Sequence, residues 1–443
     1  MYNPFEKRIE ELTLEDIKSL QSKQVKEGFY VEYKSVFTKD TLKIAHSIAS
    51  FANTHGGWYF VGIDSDITNL PTSFSGFSMA DQPKPIEHIR DIIKDKVDPF
   101  PLYYTRLIEL GNGNAILIIE IPESDETPHV TKDGKIYRRN AEGSDPVLES
   151  NRYVLDKLYE QSQNLQKEIE RFCCREVVLS KAEENNSYLE IYLMPYPLNR
   201  IEIDNFFEKD FVDKLKQTMN DPTKIVFTEK VHMEPRIPFN HASASWKSII
   251  FRQVNPGYLW CVNLTFELFS NGNAKIIIPF TFLPYNNERD SPAWKKLISA
   301  LEGEDASLFH IIDGHKTLAV FVTLLQKYLE ILKSQGWQEG FLLAYQLENT
   351  WRNILFFDSD PFINHITNYG VPICQRTDGW IPRLEKRSIF CEMPKDGIFQ
   401  LSEFAQISTH FGIFPQECPS FITEWIMALA KQAKVKAVEK IQE

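Results

Sequence analysis

Apolar positions recur every three to four residues in the opening segment, where Thr13 is placed to cap a helix from Leu14 to Gln24. Asp16, at the third helical position, completes the analogue of a capping box. The period then drops to two. Along Phe29-Tyr30-Val31-Glu32-Tyr33-Lys34, Phe29, Val31 and Tyr33 face one way and Tyr30, Glu32 and Lys34 the other, which predicts a strand. From Asp40 to Thr54 the spacing is helical again, with Leu42, Ala45, Ala49 and Ala52 on one stripe and Ile44, Ile48 and Phe51 beside it. Gly56-Gly57 supplies a left-handed stop, and the nearly continuous apolar run Trp58 to Ile63 predicts a strand covered on both faces.

Farther on, Ile86, Ile89, Ile92 and Ile93 set a helix between Pro85 and Val97. Two strand-like runs, Leu102 to Leu110 and Ala115 to Ile121, flank Gly111-Asn112-Gly113-Asn114, whose Asn-Gly step signals a hairpin. Lys135 to Arg139 reads as one more strand, and Arg152 to Phe172 as a long closing helix. Beyond it, Ser187 to Met194, Tyr258 to Phe269 and Ala274 to Phe282 are strand-like. From Trp294 the pattern becomes helical, notably Lys316 to Lys333, and a last amphipathic helix is expected from Ser420. The second Asn-Gly turn, Ser270 to Asn273, echoes the first, but two hairpins with a preferred turn look alike without being a repeat. The expected fold is α+β. It comprises a helical extension over residues 1–26, a mixed-sheet domain over 27–172, a β-rich region over 173–290 and a helical region over 291–443.

The length of 443 residues suits two or three domains of about 150 residues each. No apolar run approaches the roughly 18 residues needed to span a bilayer. Met1 to Arg8 lacks the apolar stretch of a signal peptide, so a cytoplasmic chain is expected. The six cysteines are scattered without a Cys-x-x-Cys or Cys/His cluster, which argues against a disulfide framework and a zinc ribbon. A net charge of −12 argues against general affinity for nucleic acid, though not against one local basic patch.

Chemistry-bearing residues concentrate between Glu27 and Asp66. Glu32 and Lys34 share a strand face. Gly28 turns the chain so that Glu27 can fold toward Glu32, and Asp64 and Asp66 follow the apolar strand. Gly62, of the same parity as Asp64, leaves room for close approach of a ligand. Carboxylates converging from strand ends, with a lysine nearby, suit a Mg²⁺ or Mn²⁺ site for phosphodiester cleavage. The same spacing also fits a plain Glu32–Lys34 pair and solvated turn acids. Asn53-Thr54-His55-Gly56-Gly57 is first a helix terminator and second a backbone nest for phosphate, and His46 reads as a surface or hydrogen-bonded histidine. Arg138, Arg139 and Arg152, with Lys34, Lys39 and Lys43, form either a phosphate-gripping patch or scattered solubilising charge. No phosphate-loop, nucleophile-elbow, zinc-protease or dinucleotide motif is present.

The strings Glu27-Gly28-Phe29-Tyr30-Val31-Glu32-Tyr33-Lys34, Ile48 to Gly57 and Val61-Gly62-Ile63-Asp64 resemble the Schlafen AlbA-type domain. Ile136 to Arg139, Ser144-Asp145-Pro146 and Asn151 to Leu158 resemble that domain's end in bacterial members, so the likeness covers about residues 10–160. The resemblance implies either of two functions. One is a metal-dependent endoribonuclease acting on structured RNA such as tRNA, in phage defence or stress response. Glu27, Glu32 and Asp64 or Asp66 would then hold Mg²⁺ or Mn²⁺, Lys34 would assist, and Arg138, Arg139 and Arg152 would position the RNA. The other is a non-catalytic regulator binding DNA or RNA, with ATP binding a third, weaker implication. Because the nucleases join two domain copies, a homo-oligomer, or a partner protein on the region after 173, is expected.

Overall fold

The computed structural model describes residues 2–141, 143–174, 181, 183–196, 198, 201–222, 225–228, 231–233, 237–254, 263–285, 289–337, 340–388 and 398–422. The chain divides into two compact units, Met1–Phe172 and Cys173–Glu443.

In the first unit the elements run α1 (Leu14–Ser22), β1 (Val31–Lys34), α2 (Thr41–Ala52), β2 (Gly57–Val61), β3 (Asp64–Ser65), β4 (Pro71–Ser73), β5 (Phe77–Ser78), α3 (Pro85–Lys96), β6 (Val97–Asp98), β7 (Tyr104–Glu109), β8 (Asn114–Ile121), β9 (Val130–Thr131), β10 (Tyr137–Arg138), β11 (Val147–Leu148) and α4 (Arg152–Phe172). A five-stranded sheet has the order β1-β2-β8-β5, with β7 also on β8. β1 lies parallel to β2 in the register Glu32↔Tyr59 and Lys34↔Val61, and β8 runs antiparallel to β2.

Both faces of this sheet are covered, which is why β2 is apolar throughout. Tyr59 and Val61 pack with Leu117 and Ile119 beneath α2 and α3. Trp58 and Phe60 pack on the other face against Phe5, Ile9, Leu12, Ile17 and Leu20. The N-terminal extension is therefore part of the first unit's core rather than an appendage to it. Val31 and Tyr33 point into that same layer. The two-residue period of a strand consequently aims Glu32 and Lys34 at the α2 side.

The second unit is built on β12 (Tyr188–Tyr196), α5 (Lys209–Asn220), β13 (Ile225–Thr228), β14 (Val231–Met233), β15 (His241–Ser245), β16 (Ser248–Gln253), β17 (Leu264–Phe269), β18 (Ala274–Pro279), β19 (Phe282–Leu283), α6 (Pro292–Ala300), β20 (His310–Asp313), α7 (Gly314–Ser334), β21 (Gly340–Glu348), β22 (Asn353–Phe356), α8 (Asp360–Tyr369), β23 (Gly379–Ser388) and α9 (Ile398–Ser408). Its main sheet has the order β15-β16-β17-β18-β12-β21-β23. β12 is bonded to β18 on one side and β21 on the other, so residues on both sides of position 290 share one sheet. Division there into a β-rich and a helical region is thus not how this part is organised. The strand expected from Tyr258 is described only from Leu264, and most of the helix expected from Ser420 lies outside the described residues. Among the described residues, no helix is long and apolar enough to cross a membrane.

Candidate nucleic-acid interface and the acidic cluster beneath it

Glu32 lies under α2, where every position above it must be small or a partner. Ser47 Oγ donates to Glu32 Oε1 at 3.0 Å, and Lys34 Nζ lies 2.9 Å from the same oxygen. Arg139 Nη1 donates to Glu32 Oε2 at 2.9 Å, and its Nη2 donates to Gly28 O at 2.5 Å. The guanidinium stacks 4.3 Å from the Phe51 ring centroid, and the Arg139 side chain is 0% exposed. Arg139 is thus an internal counter-ion. The expectation that it meets a nucleic-acid backbone is corrected: the turn after β10 carries it inward, not to solvent.

Glu27 reaches the same cluster from the preceding turn. Its Oε1 is 3.6 Å from Lys34 Nζ, and its Oε2 accepts from Ser65 Oγ at 3.2 Å. Burial pushes the Glu27 carboxyl above its usual range against the pull of Lys34. Burial would lower the Lys34 ammonium, but the carboxylates of Glu32, Glu27 and Asp145 outweigh it and raise it. The two glutamates and the lysine therefore do come together.

The aspartates do not complete the set. Asp66 is spent on its own turn: its Oδ1 accepts from the Thr68 hydroxyl and from the amides of Thr68 and Leu70. The Thr68 hydroxyl, first among these bonds, holds the Asp66 carboxyl below the usual range. Asp64 lies at the same sheet end as Lys34, because the amides of Gly62 and Ile63 both donate to Lys34 O. Its backbone oxygen takes the Thr72 hydroxyl at 3.3 Å. Among the described residues, no three His, Cys, Asp or Glu side chains are gathered to hold a metal ion. A hard cation takes some of its oxygen donors from water, but the carboxylates that hold it must have oxygens free to face it. Here both Glu32 oxygens are bonded to cations and the point between the glutamates is held by an ammonium. The arrangement does not fit the expected Mg²⁺ or Mn²⁺.

Gly62 has a different reason for being glycine from the one expected. With φ at +102°, an added Cβ would fall 2.9 Å from Ala115 O and from the Gly76 backbone, so the close approach is between chain segments. The Asn-Thr segment is likewise structural. Asn53 Nδ2 donates to His129 O at 2.9 Å and Tyr137 O at 3.1 Å, and its Oδ1 accepts from His129 N at 2.7 Å. Thr54 Oγ1 donates to Ser50 O and accepts from Arg139 N. Together they sew the β9–β10 segment onto the end of α2.

That seam creates an outward strip that the sequence pattern did not reveal. His46, one turn after Lys43 on α2, stacks on Tyr137 with centroids 3.9 Å apart and planes 28° from parallel. Asp133 Oδ2 lies 3.4 Å from His46 Nε2 and 3.5 Å from Lys135 Nζ. Arg138, half-buried at the other end of the strip, donates from Nε to Asn53 O and from Nη1 to Glu149 at 3.5 Å. Lys39 and Lys43 are exposed. Arg152 is 94% exposed at the start of α4, 3.6 Å from Asp156. The spacing of Lys43 and His46 on one helix was the available signal; their partner Tyr137 is a long way off in sequence.

Residues 27–148 match the family described as Schlafen, AlbA_2, less than a third of the chain. No curated protein matches the chain. Among solved structures the chain is similar to the DIP2311 protein from Corynebacterium diphtheriae, at 17% identity and a TM-score of 0.23, over 33% of this chain and 28% of that one. The chain thus spans under a third of that protein's length, and so slight a likeness carries no weight here. The matched segment begins at Glu27 and ends at Leu148, enclosing the acidic cluster, the Asn53–Thr54 seam and β10, and it shows that the chain carries a Schlafen AlbA-type domain, the mark of a nucleic-acid-binding or nuclease family.

Proposed function

We propose that the first unit is a nucleic-acid-binding module that grips a phosphodiester backbone without cutting it. The observation that supports this reading best is the strip along α2 and β10. There, Lys43, Lys135 and Arg138 flank the His46–Tyr137 stack. Lysines and an arginine neutralise phosphates and release condensed counter-ions, while a stacked aromatic pair offers an edge and a face to a base. Lys39 and Arg152 extend the charge beyond the strip. The acidic cluster below serves to hold the segment that presents it.

The test is a salt titration of binding to labelled tRNA and to duplex DNA, in chelator. A retarded complex that weakens with salt is expected. Lys43→Ala should lower the slope of log affinity against log salt by about one. No retardation of either nucleic acid at low salt would overturn the reading; which of the two is retarded names the ligand.

A second reading, a metal-dependent endoribonuclease acting on structured RNA such as tRNA, is favoured by the convergence of Glu27 and Glu32 on one point. Phage defence or stress response, and a homo-oligomer or partner engaged through the second unit, go with that reading. Discrete tRNA fragments that vanish with chelator, and with Glu32→Gln in a folded variant, would establish it over the first.

A further inference from the structure

We infer that the Lys34 ammonium is the resident cation of the Glu27–Glu32 pair, which makes this cluster a metal-excluding ion pair network rather than a divalent-metal site. The position is the one an ion would take: Lys34 Nζ is 2.9 Å from Glu32 Oε1 and 3.6 Å from Glu27 Oε1. The other oxygen of each carboxylate is already satisfied, Glu32 Oε2 by Arg139 and Glu27 Oε2 by Ser65.

Glu27 and Glu32 already engage one ammonium and one guanidinium, on which the Asp145 carboxylate also acts, so a divalent cation added without displacing Lys34 would be pressed against two positive charges in a largely buried place. Arg139 cannot yield, since it is fully buried, stacked on Phe51 and bonded to Gly28 O, with its amide tied to Thr54. Only Lys34, with 35% of its side chain exposed, can exchange. Its backbone place on the strand, two residues from Glu32 on the same face, keeps the ammonium within reach of the pair, so its return costs side-chain ordering but no loss of translational freedom. An ion from solution must therefore compete with a tethered cation.

Removing the charge on Lys34 should turn the cluster into a cation site. The experiment is a Mn²⁺ titration of the full chain without nucleic acid, followed by the electron paramagnetic resonance of free Mn²⁺. This keeps it separate from the binding reading above, whose failure leaves this result intact. Wild type and Lys34→Arg should show no saturable uptake. Lys34→Gln should take up a single Mn²⁺ per chain, half-saturating at least about tenfold below the highest Mn²⁺ concentration at which wild type shows none. Adding Glu27→Gln to Lys34→Gln should abolish that uptake. Saturable uptake by wild type that Glu32→Gln removes would overturn the inference. So would a folded Lys34→Gln variant that binds no better than wild type. The wild-type titration needs no variant, so the inference remains falsifiable even if Lys34→Gln unfolds.

Discussion

Arg139 and Glu32 are each nearly inaccessible and lie 2.9 Å apart. Removing one side of such a pair strands a buried charge, which typically costs about 3–5 kcal/mol. Arg139→Ala should lower the urea midpoint of the first unit accordingly; a loss below about 1 kcal/mol would show that the pair is not interior. Asn53→Ala should also be costly, since it removes the three bonds by which Asn53 holds the backbone of His129 and Tyr137, at about 1 kcal/mol or more for each. Glu27 gives a pH signature. Its folded pKa is raised, so the folded chain holds the proton more tightly, and ionisation weakens folding as pH rises through that value. Glu27→Gln should therefore be more stable than wild type at neutral pH and lose that advantage below about pH 4. An advantage independent of pH would contradict the shift.

Element types were legible wherever one period ran unbroken. α1, α2, α3 and α4 lie within a few residues of the expected ranges, and the hairpin of β7 and β8 turns on its Asn-Gly step. The two Asn-Gly turns share their local bonds, Leu110 N to Asn114 O and Phe269 N to Asn273 O, yet serve different sheets. Their likeness is turn chemistry rather than repetition. The alternation along β1 correctly placed Glu32 and Lys34 on one face but said nothing of what covers it. Ser47 and Ser50, small polar residues on the buried side of α2, were the local trace of that cover. Its other half comes from residues about a hundred positions away: Arg139 is 107 positions from Glu32, and its amide bonds Thr54 across 85. No local pattern encodes such pairings. At the start of the chain the Thr13–Asp16 capping box formed as read. Lys7, first among its partners, and the Thr13 bonds hold the Asp16 carboxyl down to about 2. Its contribution is therefore complete above the usual carboxylate range near 4 and lost as pH falls toward 2. Thr13→Ala should cost about 1 kcal/mol in thermal or urea unfolding, and no change would deny the cap.

On the scale of the whole molecule, each unit has its own core, and the first includes the N-terminal segment that packs on Trp58 and Phe60. A fragment of residues 1–172 should melt cooperatively, whereas one starting at residue 27 should not, because it exposes that face of the sheet. Equal cooperativity of the two would contradict the packing. The overall charge of −12 gave no sign of the cationic side chains that the fold gathers into the strip along α2 and β10, where Asp133 and Glu149 lie among them. The central claim is that the acidic residues brace this strip instead of cutting what lies on it. It is tested most directly by incubating purified full-length protein with total tRNA in Mn²⁺ and, in parallel, in EDTA, then resolving the RNA both native and denatured. The expected outcome is retarded tRNA in both mixtures and full-length tRNA in both after denaturation. Discrete fragments in Mn²⁺ that are missing in EDTA would contradict it.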